Sequence, residues 1–479
     1  MPRTRGSDRR LPGVRPGLLA VAVLVLVASV AGTPVGRHAR AAPEPSSIVV
    51  IMTDDQRWDT LWAMPTVRSE LVDKGVTFTN AFVSNALCCP SRASALTGAY
   101  SHTTGVWRNE PPYGGWASFN DTSTIATWLR EAGYRTGFFG KYLNGYWTPA
   151  YETGYVPPGW DRWVAFARSG YFEYDLNVDG TIRHHGSRPQ DYSTRVLADE
   201  AASFIRSEPG PILVWFTPYA PHGPATPEPR YADAFSDLSP WRPPSYNERD
   251  VSDKPSWLQT KRRLDRGARA RTDAFRIDQY RALLSVDDAV GTILDALRDT
   301  GRLSTTLVVF MSDNGMLWGE HRWKAKRVAY EEAIRIPFVV RYDPLIERPR
   351  VDPSLVLNID VAPTAAELAG VEAPGAEGAS ILSLLANPSA AWRKDFLLEH
   401  LEKNERRDRV PAYCGVRTER YTYVLYGTGE TELYDLDADP YQLTNLAGAP
   451  EVAAEQHRLH ARVLALCDPP PPGFAPTAP

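Results

Sequence analysis

The sequence predicts an α/β sandwich: a large, mostly parallel sheet between helices, followed by a small C-terminal α+β subdomain with an antiparallel sheet. Three observations lead there. Residues 47–52 (Ser-Ile-Val-Val-Ile-Met) form an unbroken apolar run rich in β-branched side chains, as in a strand buried on both faces. Helix-like and strand-like segments then alternate along most of the chain, the mark of a parallel sheet with crossover helices. Near the C-terminus, 421–426 and 432–434 instead read as short antiparallel strands.

Each element has a local reason. The run at 47–52 stops at Asp54-Asp55. A helix is expected over 65–75, with Pro65 near its start and Gly75 at its end. Residues 125–132 read as a helix and 135–139 as a strand. Residues 193–207 and 212–216 repeat that pair, and so do the long amphipathic helix 274–298 and the strand 306–311. Residues 224–270 are rich in Pro, Arg and Asp and carry no period, so they read as a long surface excursion able to form part of a substrate rim. A helix at 361–369 precedes a Gly/Ala/Pro-rich stretch, and the smaller unit begins near 375–395. From Pro469 the Pro-rich tail reads as loose.

Composition narrows the function. The 479 residues are 43% hydrophobic and 23% charged, which excludes a polytopic membrane protein, a coiled coil and a mainly disordered chain. Lys and Arg number 53 against 57 Asp and Glu, and residues 1–41 hold seven of the Arg and one of the Asp. The remainder is markedly acidic, which argues against nucleic-acid binding. Residues 1–41 resemble a secretory leader: Arg3, Arg5, Arg9, Arg10 and Arg15, an apolar run over 18–31 too short for a typical span, then Ala39-Arg40-Ala41. The expectation is export to the periplasm, cell surface or medium, with no membrane span after cleavage. The Sec route is favoured over twin-arginine export, because the flanks of Arg9-Arg10 fit the latter poorly.

Four cysteines are too few for a disulfide scaffold. Cys414 and Cys467 can bridge in an oxidising compartment, whereas the adjacent Cys88 and Cys89 would close a strained ring. If one of that pair is chemically special, one of the other three is left as a free, buried thiol.

Ligands of an open α/β sheet bind beyond the carboxyl ends of its strands. Three predicted strand ends carry polar clusters: Asp54-Asp55, Pro221-His222 and Asp313-Asn314-Gly315. Asp54, Asp55, Asp313 and Asn314 are hard oxygen donors suited to Ca²⁺ or Mg²⁺; without a His or Cys cluster beside them they do not favour Zn²⁺. Singly, each could simply terminate a strand with a turn. The segment 88–98, Cys-Cys-Pro-Ser-Arg-Ala-Ser-Ala-Leu-Thr-Gly, reads as the opening of a helix. Its N-terminus and Arg92 would attract an anion and lower a thiol pKa, although a buried structural cysteine is the commoner case.

Cys88-x-Pro90-Ser91-Arg92 followed by Leu96-Thr97-Gly98 resembles the signature of type I sulfatases. In that family the first cysteine is oxidised to formylglycine, which singles out Cys88 over Cys89. Further segments agree in order: 51–55 with the metal aspartates, Gly140-Lys141 with an active-site lysine, Pro221-His222 with an active-site histidine, and 312–315 with the second metal pair. Lys326, four residues before Tyr330-Glu331, matches the second lysine better than Lys324 does; 358–370 and 432–446 match later landmarks. Lys141-Tyr142-Leu143-Asn144 and Pro157-Pro158-Gly159-Trp160 are similar to N-acetylglucosamine-6-sulfatases and heparan endosulfatases.

The resemblance implies an alkaline-phosphatase-like fold: leader 1–41, catalytic domain 42–375, C-terminal subdomain 376–468 and tail 469–479. It implies Cys88, Arg92, Lys141, His222 and Lys326 as catalytic residues, and Asp54, Asp55, residue 88, Asp313 and Asn314 as metal ligands, with Ca²⁺ favoured over Mg²⁺. It implies a formylglycine-generating enzyme as maturation partner and a sulfated carbohydrate or aryl sulfate as substrate. One oxygen of the hydrated aldehyde would attack sulfur and the other would expel sulfate. Arg92, Lys141 and Lys326 would balance charge, and His222 or Lys326 would protonate the leaving oxygen. Many members carry a His two residues after the first lysine; here Leu143-Asn144 stands instead, leaving His102 or His321 as candidates for that proton. Competing readings are a phosphonate monoester or phosphodiester hydrolase of the same superfamily, an inactive carbohydrate-binding relative, and a dithiol redox protein. Trp107, Trp147, Tyr151, Trp160 and Trp163 either stack on sugar rings or belong to the core.

Overall fold

A computed structural model of the chain describes residues 46–402 and 409–475. The leader lies outside the described residues. In chain order the strands are β1 (Ile48–Thr53), β2 (Val76–Phe82), β3 (Arg135–Gly140), β4 (Arg162–Arg168), β5 (Tyr174–Val178), β6 (Thr181–His185), β7 (Ile212–Thr217) and β8 (Leu307–Ser312). They continue with β9 (Leu317–Trp318), β10 (Lys324–Ala325), β11 (Phe338–Arg341), β12 (Arg350–Leu357), β13 (Asp395–His400), β14 (Tyr413–Thr418), β15 (Tyr421–Tyr426) and β16 (Thr431–Asp435). Ten form one sheet in the order β12-β2-β11-β8-β1-β7-β3-β4-β5-β6; β13 to β16 form a separate antiparallel sheet in sequence order. In the large sheet only β11 and β5 run against the rest.

The unbroken apolar runs have a direct consequence. In β1, Ile48, Val50 and Met52 face one core, while Val49 and Ile51 face the other. Strand side chains alternate faces, so a strand in the middle layer of a sandwich must be apolar at every position. The helices Cys88–Thr97, Ile125–Glu131 and Val361–Ala369 cover the first face. Pro65–Glu70, Ser193–Ser207 and Arg266–Asp299 cover the second.

Most predicted elements stand within a residue or two of their observed bounds, with three differences. The helix expected over 65–75 ends at Glu70 and continues only as a 3₁₀ turn, Val72–Lys74. The long helix starts at Arg266, eight residues before the expected position; the caps rather than the apolar period mark its start, because the Asp265 side chain accepts from the Ala268 amide at 2.7 Å. Residues 224–270, expected as a surface excursion, are anchored inward at several points: Ser245, Lys254 and Leu258 are buried, and Lys254 Nζ donates to the Leu443 carbonyl at 2.6 Å.

The small sheet is two-faced in the same way. Phe396 and Leu398 of β13 join the main core, whereas Leu397 packs under the helix Ala453–Leu466 with Leu459 and Val463. Cys414 and Cys467 are disulfide-bonded, 6.2 Å apart at Cα, and Cys88 and Cys89 are free and buried. The start of the Pro-rich tail is held too, since Phe474 is buried in this second core. Among the described residues no helix is long and apolar enough to cross a membrane.

Candidate active site

β1, β3, β7 and β8 run the same way, so their carboxyl ends open on one edge. Asp54 and Asp55 follow β1, Lys141 follows β3, His222 lies just beyond β7, and Asp313 and Asn314 follow β8. Gly140 makes the β3 exit possible: its φ is +129°, and a Cβ there would fall 1.9 Å from the Thr217 carbonyl oxygen. Asp55 turns back toward the edge at φ +67°, a conformation Asp tolerates better than most residues. The helix Cys88–Thr97 aims its N-terminus at the same point, and Asn358 holds it there by donating Nδ2 to Ser91 Oγ at 3.0 Å.

The nine predicted residues come together. Cys88 Sγ lies 3.6 Å from Asp54 Oδ1 and 2.7 Å from Lys326 Nζ. Lys141 pairs with Asp54, and Lys326 with Asp55. Arg92 reaches Asp313 Oδ2 at 2.8 Å, Asp54 Oδ2 at 3.4 Å and the Lys141 carbonyl at 2.7 Å. Asn314 Nδ2 donates to Asp55 Oδ1 at 2.7 Å. His222 Nδ1 is 2.7 Å from the Gly223 carbonyl; a carbonyl only accepts, so that nitrogen carries the proton, and Nε2 faces Asp55 Oδ2 at 3.7 Å. Lys324, by contrast, is exposed.

The charges in this buried cluster balance by proximity. Burial alone would raise the Asp54 carboxyl, but Lys141, His222 and Arg92 hold it well below the usual range. Asp55 is held down too, against burial, chiefly by Lys326. Burial and the Asp54 charge push Asp313 up to about 6 against Arg92. Cys88 corrects an expectation: burial pushes its thiol up to about 12 despite Lys141 and Lys326, so the helix terminus does not yield a thiolate. Cys89 is likewise pushed up to about 12 by burial, and a buried pair of neutral thiols is a poor dithiol redox centre.

Oxygens of Asp54, Asp55 and Asp313 lie within 4.8 Å of one another, and Asn314 Oδ1 is buried without a hydrogen-bond partner among the described residues. Three crowded carboxylates and a spare amide oxygen fit a hard divalent cation. A second trio was not foreseen: Asp54, Cys88 and His222 also converge within 4.8 Å. The fold therefore does bring one thiol and one imidazole to the carboxylates.

A cleft of about 420 Å³ adjoins the cluster, lined by Lys141, Asn144, Trp147, Tyr151, Arg168 and His222 among others. Trp147 and Tyr151 are 52% and 49% exposed, whereas Trp107, Trp160 and Trp163 are core residues. No residue of 224–270 lines this cleft. His102 and His321 are engaged elsewhere. The ring nitrogens of His102 meet Glu399 and Glu377. Buried His321 pairs with Glu248 at 2.7 Å and stacks on Tyr330. Leu143 and Asn144 line the cleft, and Asn144 Oδ1 is buried with no hydrogen-bond partner among the described residues, an acceptor rather than a base. Sequence reasoning missed Asn109, whose Oδ1 accepts from the Cys89 amide at 3.0 Å, because its loop carries no periodic or motif signal.

A parallel sandwich with carboxylates, cations and a helix-borne cysteine gathered at one sheet edge defines a class of hydrolase for anionic esters. The sulfatase family model matches residues 46–371, and the model for the C-terminal region of N-sulphoglucosamine sulphohydrolase matches 319–468. The chain belongs to the sulfatase family and is a sulfuric ester hydrolase of alkaline-phosphatase-like fold. N-acetylglucosamine-6-sulfatase of Homo sapiens is 33% identical over 492 residues, covering 92% of this chain and 87% of the relative. The extracellular sulfatase SULF-1 homolog of Drosophila melanogaster is 33% identical over 381 residues, covering 76% of this chain; the match spans 34% of that longer protein. The solved structure of BT4656 in complex with its substrate, D-glucosamine-2-N,6-O-disulfate, superposes with TM-score 0.80 at 24% identity, covering 90% of this chain and 100% of that one, a likeness of fold.

Proposed function

We propose that the protein is an exported sulfatase that cleaves sulfate esters of sugars, with residue 88 working as formylglycine made by a formylglycine-generating enzyme. The names of the relatives support the sugar and, for the extracellular homologue, export. The observation that carries the mechanism is Cys88 Sγ set between Lys326 Nζ at 2.7 Å and Asp54 Oδ1 at 3.6 Å, at the N-terminus of its helix.

Residues 42–375 hold the chemistry, and 376–468 form the supporting subdomain. Asp54, Asp55, Asp313 and Asn314 would hold Ca²⁺, in preference to Mg²⁺, together with an oxygen of modified residue 88. When bound, the cation supplies Lewis-acid neutralisation of sulfate charge. Arg92, Lys141 and Lys326 place further positive charge around the sulfuryl oxygens, where a buried setting makes it count more than in water. Arg92 also positions Lys141 and Asp313 by bonding both. His222 stands where the cluster meets the cleft, 30% exposed, with Nε2 free to exchange the proton of the leaving alcohol.

The test is the mass of the peptide containing residue 88, from protein exported by its own host. Conversion of thiol to aldehyde removes about 18 Da. An unmodified thiol in protein that turns over an aryl sulfate would sink the mechanism. Turnover of an aryl phosphonate ester above that of sulfated N-acetylglucosamine would return the phosphorus-ester reading.

A further inference from the structure

The loop that carries Lys326 has little regular structure of its own. Only Lys324 and Ala325 pair with another strand, the two-residue β9, and four of its residues hold positive φ. Its two ends meet instead. The His321 ring stacks on the Tyr330 ring with centroids 4.1 Å apart, and Lys326 lies between them in the chain, reaching Cys88 Sγ at 2.7 Å. His321 is held from behind by Glu248, Nδ1 to Oε2 at 2.7 Å. Tyr330 is held by the C-terminal subdomain, since its hydroxyl donates to Glu432 Oε1 at 2.7 Å.

Glu432 belongs to the segment 432–446, which contributes no side chain to the catalytic cluster. It sits on β16, is buried, and gathers two more phenols. Tyr434 donates to Oε1 at 2.7 Å, and Tyr426 donates to Oε2 at 2.6 Å. Burial and the Glu432 charge raise all three phenols well above their usual range, so each stays a protonated donor. A buried carboxylate is costly unless hydrogen bonds complete it, and a buried network that is satisfied rigidifies the groups it joins. Tyr426 and Tyr434 belong to the small sheet, whereas Tyr330 ends the loop of the lysine. The carboxylate therefore ties that loop to the subdomain. We propose that Glu432, acting through Tyr330, is a positioning residue for Lys326, so that the C-terminal subdomain governs sulfate-ester cleavage without touching the substrate. This rests on the reading above that Lys326 places charge at the sulfuryl oxygens. A group misplaced by about 1 Å loses much of its effect on a rate.

Tyr330→Phe removes one hydroxyl and keeps the ring that stacks on His321. Tyr426→Phe removes a bond of the same kind to the same carboxylate, away from the loop, and serves as the control. Each is made in wild-type protein and in Lys326→Met. Two readouts are taken: kcat/KM on 4-nitrophenyl sulfate, and backbone hydrogen exchange over residues 321–330 by mass spectrometry. Tyr330→Phe is expected to lower kcat/KM about tenfold where Lys326 is present and less than about twofold where it is Met, because two changes on one path are not additive. Exchange over the loop should rise about tenfold in the same variant, and Tyr426→Phe should move neither readout by more than about twofold. Glu432→Gln, whose amide oxygen still accepts from Tyr330, should keep more activity than Tyr330→Phe. The proposal is overturned by a loss of equal size in the Lys326→Met background, by an equal loss in Tyr426→Phe, by no loss although Lys326→Met is costly, or by unchanged exchange. If Lys326→Met costs nothing, or wild-type protein hydrolyses no sulfate ester, the catalytic reading fails; faster exchange in Tyr330→Phe alone then still upholds the tie from Glu432 to the loop of Lys326.

Discussion

Trp147 and Tyr151 are half exposed beside Lys141 and His222, whereas Trp163 is fully buried under the same motif-rich stretch. Residue type does not separate the two fates, because an indole serves a core and a sugar platform equally well. Covering an exposed aromatic face on binding is worth roughly 1.5–3 kcal/mol. Trp147→Ala should therefore weaken kcat/KM for a sulfated sugar about tenfold or more through KM, with kcat changed little. Steady-state kinetics on the sugar check this; an unchanged KM would place the substrate elsewhere. The motif residues were legible because their spacing repeats a known pattern. Asn109 was not, since its loop carries no motif and only folding brings its Oδ1 to the Cys89 amide.

The loop after β8 is an element under backbone tension. His321, Arg322, Ala325 and Arg327 all adopt positive φ, at 49°, 61°, 107° and 78°. Such conformations cost of order 1–3 kcal/mol each for non-glycine residues and persist where surrounding contacts demand them. Here the demand is to deliver Lys326 to Cys88 while Arg57, bonded to Glu320 at 2.9 Å and stacked 4.2 Å over Trp318, clamps the loop base. The Cys414–Cys467 bridge does a parallel task for the small sheet, tying β14 to the end of Ala453–Leu466 across 53 residues. Replacing both cysteines by Ala should cost roughly 2–4 kcal/mol. The replacement should also remove any effect of reductant on thermal unfolding, as scanning calorimetry with and without reductant would show.

At the scale of the molecule, strands from distant parts of the chain point their ends at one edge, and the like charges gathered there need compensation. A cation bound only by the folded protein stabilises it by mass action. Chelation should therefore lower the unfolding temperature as well as activity, and added Ca²⁺ should restore both. An unfolding temperature indifferent to chelator would contradict the site. A second long-range tie joins the helix Ser101–Thr104 to β13: His102 Nδ1 lies 3.0 Å from Glu399 and Nε2 3.2 Å from Glu377, with the Tyr100 ring stacked alongside. Burial opposes protonation, yet the two carboxylates raise His102 from 6.5 to about 10. The folded protein keeps a proton that the unfolded chain releases, so this contribution is complete below pH 6.5 and is lost as pH rises through about 10. The stability difference between wild type and His102→Gln should shrink across that window, read from urea midpoints; a constant difference would contradict it.

The sandwich is legible in the order of residues, because a middle-layer strand must be apolar at every position and a covering helix on one stripe only, and both periods are written in the chain. That order also determined the chemistry-bearing residues at strand ends, where Asp54, Asp313 and their neighbours interrupt apolar runs. Tertiary structure alone decided the ionisation of Cys88, since burial is a property of the packed core. It decided which aromatics line the cleft and which lie in the core, because exposure depends on contacts between residues far apart in the chain.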